Sequence, residues 1–189
     1  MFFRLIALIL VRPFFRIKYL GRNNLPKGGF ILASVHLSYF DPVCLGMGIG
    51  RKIFFMAKSE LFTEHGFLAG GFLRLCGVFP VKRTSADKGS IDKASELLSR
   101  GRIVGIFPQG GIVRGGKSFS PKAGAALLAA KSGVPLVPVH ISAPKGIRPF
   151  AGITVRIGKP IYSADETLSA ARELNKRLKN TIQELSEEK

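Results

Sequence analysis

Apolar residues change their spacing along this chain, and the spacing assigns the elements. Phe30-Ile-Leu-Ala-Ser34 is an almost unbroken apolar run after a pair of glycines, the mark of a strand buried on both faces. Lys52–Met56, Gly77–Val81, Arg102–Phe107, Val134–Ile141 and Ile153–Ile157 read as further strands, and Pro80 makes the Gly77–Val81 strand broken or edge-like. Helical spacing separates them. Asp41-Pro42 reads as an N-cap followed by proline at the first helical position. Lys88 to Ser99 sets Ile91, Ala94, Leu97 and Leu98 on one face. Ser120-Pro121 opens a helix that runs through Lys131 and closes at Gly133. Ser163 with Glu166 forms a capping-box pattern before a last helix carrying Leu168, Ala171, Leu174, Leu178, Ile182 and Leu185 at helical intervals. Strands alternating with helices predict an α/β domain, a mixed and largely parallel sheet covered by helices.

Residues 1–20 stand apart and divide the chain into an appendage, 1–20, and a domain, 21–189. On a helical wheel Arg4, Arg12, Arg16 and Lys18 fall in one half, while Phe2, Phe3, Ile6, Ile9, Leu10, Phe14, Ile17 and Leu20 fall in the other. This is a basic amphipathic helix, bent at Pro13, of the kind that lies in a membrane interface with its cations near lipid phosphates. A helix packed on the protein's own core is the competing reading. The longest apolar run there, Leu5 to Val11, is far short of the roughly 20 residues that span a bilayer.

Charge sharpens the picture. The chain has 189 residues, with 29 Lys and Arg against 12 Asp and Glu, a formal net charge of +17. Its 46% hydrophobic content supplies a core and excludes a disordered chain. Between Leu97 and Ala164 there is no acidic residue and there are ten basic ones. That stretch points to an anionic counterpart: phosphates, a membrane surface, nucleic acid or an acidic carrier protein. Cys44 and Cys76 make neither a disulfide framework nor a zinc ligand set and read as buried, reduced thiols in a cytosolic setting.

Two segments carry candidate chemistry. Gly111-Ile-Val-Arg-Gly-Gly-Lys117-Ser118 matches the phosphate-binding loop letter for letter. Such a loop needs its helix to start at the Gly-Lys and a magnesium-holding Asp downstream; Phe119-Ser-Pro121 delays the helix and the acid is missing. There is no G-x-S-x-G elbow either. The second segment is His36-Leu-Ser-Tyr-Phe-Asp41, directly after a buried strand, where ligands meet α/β sheets. A carboxylate five residues on can accept the imidazole Nδ1 proton and leave the other ring nitrogen as a base. On spacing alone, the plainer reading, with Asp41 only capping its helix and His36 a polar loop residue, stays ahead. His140, ending an apolar strand, reads as a satisfied core residue, and His65 has no visible partner.

Four ordered segments together resemble the glycerolipid acyltransferases, the 1-acylglycerol-3-phosphate acyltransferase family. Ser34-Val-His36 through Asp41-Pro42 resembles the first motif, Gly77-Val-Phe-Pro-Val-Lys82-Arg83 the second, Ile106-Phe-Pro-Gln109-Gly110 the third, and Phe119 through Ile141 the fourth. The resemblance covers residues 20–162. It implies a glycerol-3-phosphate acyltransferase-like fold and transfer of a fatty acyl group to the free hydroxyl of lysophosphatidic acid, giving phosphatidic acid. The donor it implies is acyl-CoA or acyl-carrier protein, a co-substrate, with no cofactor or metal. His36 is then the base and Asp41 its orienting partner, with no acyl-enzyme. Lys82, Arg83, Gln109, Gly110, Gly111 and Arg114 are the expected acceptor-binding residues, and backbone N–H groups at Gly110 and Gly111 are the expected oxyanion donors. The expected partners are anionic lipids at the cytoplasmic face of a membrane, with peripheral or monotopic attachment and no nucleic acid. The third motif departs from the family's usual F-P-E-G-T-R-S: Gln109 replaces Glu, Gly111 replaces Thr and Ile112 replaces Arg. That departure keeps a catalytically weakened lipid-binding homologue, or another lysolipid acceptor, as rivals; a phosphate-loop enzyme is the remote one.

Overall fold

A computed structural model describes residues 14–62, 77–81, 88–112, 119–148 and 150–188. Seven strands form one sheet: β1 (Arg16–Leu20), β2 (Phe30–Ser34), β3 (Ile53–Lys58), β4 (Phe79–Val81), β5 (Ile103–Ile106), β6 (Leu136–Ser142) and β7 (Gly152–Ile157). Their order across the sheet is β1-β7-β6-β2-β5-β3-β4. Every neighbouring pair is parallel except β6 and β7. The helices are α1 (Asp41–Ile49), α2 (Lys88–Ser99), α3 (Gly124–Ser132) and α4 (Leu168–Glu187).

The apolar runs explain this arrangement. β2 is buried along its whole length, as a central strand covered on both faces must be. Pro80 sits in the edge strand β4, where its missing N–H costs no ladder bond. Strand register sorts the two faces. Tyr19, Val155 and Ile141 lie in register on one, where the Tyr19 hydroxyl donates to the Cys44 carbonyl of α1 at 2.7 Å. An added Cβ at Gly48 would lie 2.0 Å from the Tyr19 ring, so only glycine allows this approach. Leu20, Arg156 and His140 lie in register on the opposite face, where Arg156 Nε is 4.0 Å from Glu188 at the end of α4. There α3 packs between α2 and α4. Its alanines 125, 126, 129 and 130 are buried, and α4 turns its expected stripe inward from Ala171 to Leu185, while Leu168, at the very start of the helix, is left exposed to water.

Three expectations are corrected. Residues 16–20 are not the end of an amphipathic helix: they are β1, paired with β7 from Arg16↔Gly152 to Leu20↔Arg156. Arg16 and Lys18 face water while Ile17 and Tyr19 turn inward, a two-residue alternation that also fits a helical wheel over so short a span. The remainder of that predicted helix, residues 1–13, lies outside the described residues. Ser163 and Glu166 do not cap the last helix. Its N-cap is Thr167, whose hydroxyl accepts from Ala170 N at 3.2 Å, while Ser163 Oγ donates to the Asp165 carbonyl. Finally, the helix expected to open at Ser120-Pro121 is α3 and opens at Gly124.

One backbone conformation stands out. Phe150 has φ 64°, and its N–H donates to the Phe14 carbonyl at 2.6 Å. A left-handed conformation costs an ordinary L-residue roughly 1–2 kcal/mol.

Candidate active site

β2 delivers His36 to the carboxyl end of the sheet, and a tight loop returns the chain to Asp41 at the first turn of α1. Asp41 is completely buried. Its Oδ2 accepts from His36 Nδ1 at 2.7 Å, from Leu37 N at 2.6 Å and from Ser38 N at 2.9 Å. The carboxylate therefore reaches back into the loop instead of capping its own helix, which resolves the two readings of the spacing. A carboxylate oxygen only accepts, so Nδ1 carries a proton, and in the neutral ring Nε2 is the nitrogen with the lone pair. The His36 side chain keeps 16% exposure, whereas its carboxylate partner has none.

The ring is held from the side as well. His36 stacks on Phe107, centroids 4.0 Å apart and planes within 16°, and Phe107 stacks on Phe55 at 5.6 Å and 8°. His36 lies just past the end of β2, Phe107 just past the end of β5 and Phe55 within β3, three adjacent strands. Gly105 makes the column possible, because a Cβ there would lie 2.5 Å from the Phe55 ring. Phe107 lies in the third motif and was visible in the sequence. Its contact with His36 was not, since it depends on strand order.

Gln109 and Gly110 follow Phe107 in a turn closed by Gly110 N–H donating to the Phe107 carbonyl at 2.9 Å. Gly110 takes φ 79°, which suits glycine. Its N–H is thus committed to the turn, which corrects its expected part as an oxyanion donor. Gly111 borders open space, with nothing within 4 Å of an added Cβ. Gln109 Oε1 is buried and has no hydrogen-bond partner among the described residues. Lys82, Arg83 and Arg114 lie outside the described residues.

A cavity of about 360 Å³ adjoins the Phe107 turn. Its walls are mainly apolar, including Met56, Ile106, Leu127 and Leu128, with Lys122 and Lys131 also lining it. A second cleft, about 450 Å³, lies at the far end of the sheet around Arg156 and Lys159 and is remote from His36. Two other groups bear on the chemistry. Burial, and then the negative charge of Asp41, push the Cys44 thiol up to about 12, which leaves it protonated and inert. His140 is half-buried and its Nδ1 has no partner among the described residues, so it is not the satisfied core histidine expected. Burial, then Arg156, lower its pKa below the ordinary histidine value. Among the described residues no cluster of His, Cys, Asp and Glu is placed to hold a metal.

Comparison with known proteins decides the lineage. A sequence model of the acyltransferase family matches residues 16–142, and the chain is 35% identical over 184 residues to 1-acyl-sn-glycerol-3-phosphate acyltransferase of Bacillus subtilis, covering 90% of each protein. This chain belongs to the 1-acylglycerol-3-phosphate acyltransferase family. A chloroplastic family member of Arabidopsis thaliana is 31% identical over 183 residues, 89% of this chain and 51% of that protein. The acyltransferase of Streptococcus pneumoniae is 33% identical over 141 residues, 72% of this chain and 51% of that one. The chain thus spans nearly all of the Bacillus protein but about half of the other two. The crystal structure of the 1-acyl-sn-glycerophosphate acyltransferase PlsC from Thermotoga maritima shares the fold, with a TM-score of 0.68 at 24% identity over 93% of this chain and 74% of that one. In this acyltransferase the first family motif is the loop that joins His36 to Asp41.

Proposed function

We propose that this acyltransferase moves a fatty acyl group from acyl-CoA or acyl-carrier protein to the free hydroxyl of lysophosphatidic acid, forming phosphatidic acid. One observation carries the mechanism: His36 is hydrogen-bonded through Nδ1 to a fully buried carboxylate, and its Nε2 has no hydrogen-bond partner among the described residues. Nε2 takes the hydroxyl proton as the oxygen attacks the thioester carbonyl. Asp41 balances the imidazolium that forms. The tetrahedral intermediate collapses, the C–S bond breaks, and the thiolate leaves and recovers the proton from Nε2. A thiol of pKa about 8.5 leaves readily, so no acyl-enzyme is needed. The protonated Cys44 is unfit to form one.

The apolar cavity beside Phe107 would receive the acyl chain, and Lys82, Arg83 and Arg114 the acceptor's phosphate. Gln109 Oε1, buried and unpaired, would accept a hydrogen bond from the acceptor, and Gly111 N–H would face the developing oxyanion. The enzyme would work at the cytoplasmic face of a membrane, attached peripherally or monotopically, among anionic lipids. Among the described residues no helix is long and apolar enough to cross one. Thiol release from acyl-CoA, with and without lysophosphatidic acid, tests this reading. Release that needs the acceptor and disappears in His36→Ala supports it. A folded protein that binds the lysolipid but releases no thiol from either donor type would instead favour the weakened, lipid-binding reading that Gln109 motivates.

A further inference from the structure

Five large apolar side chains face water at one end of the molecule: Phe14 (48% exposed), Leu37, Tyr39 (75%), Phe40 (48%) and Phe150 (64%). They are not scattered. Phe14 meets Phe150 edge to face at 5.9 Å, and its chain neighbour Phe15 lies 5.8 Å from Phe40, so two ring pairs tie the start of β1 to the segment before β7 and to the catalytic loop in one string along the chain. Topology puts that string beside the active site. β7 runs antiparallel to β6, so β1 and β7 begin at the end of the sheet where β2 and β6 finish, which is the His36 end. Tyr39 and Phe40 lie in the loop whose N–H groups at Leu37 and Ser38 hold Asp41. Phe150 adds a separate argument. Its ring gains little from packing and its backbone sits in a conformation that glycine would adopt more readily, so the fold does not account for a phenylalanine there.

The flanking charge names the partner. Arg16, Lys18, Lys145 and Arg148 are exposed on the segments that carry these rings. Residues 1–40 and 97–164 contain no acidic residue, and the first acid of the chain, Asp41, is fully buried. Exposed aromatic side chains on segments that carry exposed cations and no exposed acid fit the interface of an anionic bilayer, with rings at the acyl boundary and cations among phosphates.

We propose that the Tyr39–Phe40 tip of the catalytic loop and Phe150 form a wedge that enters an anionic lipid surface and sets the mouth of the active site against it. The proposal rests on the acceptor being a membrane lipid for its purpose, but its geometry is tested without turnover. The chain contains no tryptophan, so one introduced tryptophan reports one place. Tyr39→Trp and Phe150→Trp are mixed with vesicles of phosphatidylcholine and phosphatidylglycerol in equal parts, with and without brominated lipid. Tyr162→Trp serves as the reference, because Tyr162 is 58% exposed and follows the Leu136↔Ile161 bridge at the opposite end of the sheet.

The expected result is blue-shifted emission and bromine quenching for positions 39 and 150, and neither for position 162. Unshifted, unquenched emission at 39 and 150 overturns the proposal and leaves the face to a protein partner. Equal quenching at all three overturns it too, as adsorption without orientation. The double variant Tyr39→Ser/Phe150→Gly, where glycine relieves the backbone at 150, should weaken vesicle binding about tenfold. Phe150→Gly alone, which leaves the catalytic loop unaltered, should still turn over a short-chain lysophosphatidic acid dissolved as monomers. Unchanged vesicle binding by the double variant overturns the wedge. Absence of turnover by the unaltered enzyme with every acceptor would instead count against the proposed reaction.

Discussion

Asp41→Asn separates the charge of the buried carboxylate from its shape. Asparagine fills the same volume, and its carbonyl oxygen can still accept from His36 Nδ1, Leu37 N and Ser38 N. It loses the negative charge that faces the imidazolium during proton transfer. With charge centres about 4 Å apart and an effective dielectric near 20, that attraction is about 4 kcal/mol. Since His36 retains 16% exposure, this is an upper value. The expected loss is about a hundred- to a thousandfold in kcat, with little change in KM for the acceptor. The new amide nitrogen falls at the Oδ1 position, which is buried and without a partner among the described residues. That should cost about 1–3 kcal/mol of stability and lower Tm by about 2–4 °C per kcal/mol. Acceptor-dependent thiol release and a thermal melt measure the two effects separately. Adding His36→Ala to Asp41→Asn should do no more harm than His36→Ala alone, because the carboxylate acts through the ring. A kcat within about threefold of the unaltered enzyme, alongside the lowered Tm, would refute the electrostatic argument and leave Asp41 as a brace for the loop.

Other substitutions probe neighbouring features. Gly105→Ala should force Phe55 aside at a cost of about 1–3 kcal/mol and reduce kcat by tilting Phe107 and His36, with Phe55→Leu restoring part of both; unchanged kcat would deny the ring column a positioning part. Gly48→Ala should lower the urea midpoint, because the added methyl collides with the Tyr19 ring; an unchanged midpoint would mean α1 shifts freely on the sheet. The folded state holds the His140 pKa below the unfolded value near 6.5, so the unfolded chain binds more protons there. The stability contribution is therefore complete above that value and is lost as pH falls through it; melts from about pH 7.5 to 5.5 should show this slope weakened in His140→Gln. In a Cys76→Ser background, Cys44 should resist iodoacetamide at pH 8 until the protein unfolds, and prompt native labelling would contradict a thiol raised to about 12.

What could be read from the sequence was whatever depends on neighbours along the chain. The apolar run of β2, the span of α2 and the stripe of α4 from Ala171 to Leu185 were all legible, because periodicity is a local property. The His36–Asp41 pair was legible for the same reason, since five residues of loop bring it together. β1 was misread because Arg16-Ile-Lys-Tyr-Leu20 satisfies both a two-residue alternation and a helical wheel, and only pairing with β7 selects the strand. The start of α4 was misread because Asp165 accepts from Thr167 N at 2.7 Å, a local turn that outcompetes the capping box. The column of His36, Phe107 and Phe55 could not be read at all, because it requires the order β2-β5-β3 across the sheet.

That division has a consequence for how the enzyme loses activity. The bond from His36 to Asp41 has low contact order: it closes over five residues and needs little more than the first turn of α1. The stacking on Phe107 closes over a separation of 71 positions and needs β2 and β5 docked side by side. A denaturant or a warm bath that loosens the sheet first will therefore leave a correctly hydrogen-bonded imidazole that has lost its flat support. Inactivation would then run ahead of the loss of helix signal, and the histidine would keep its carboxylate after it had lost its aim.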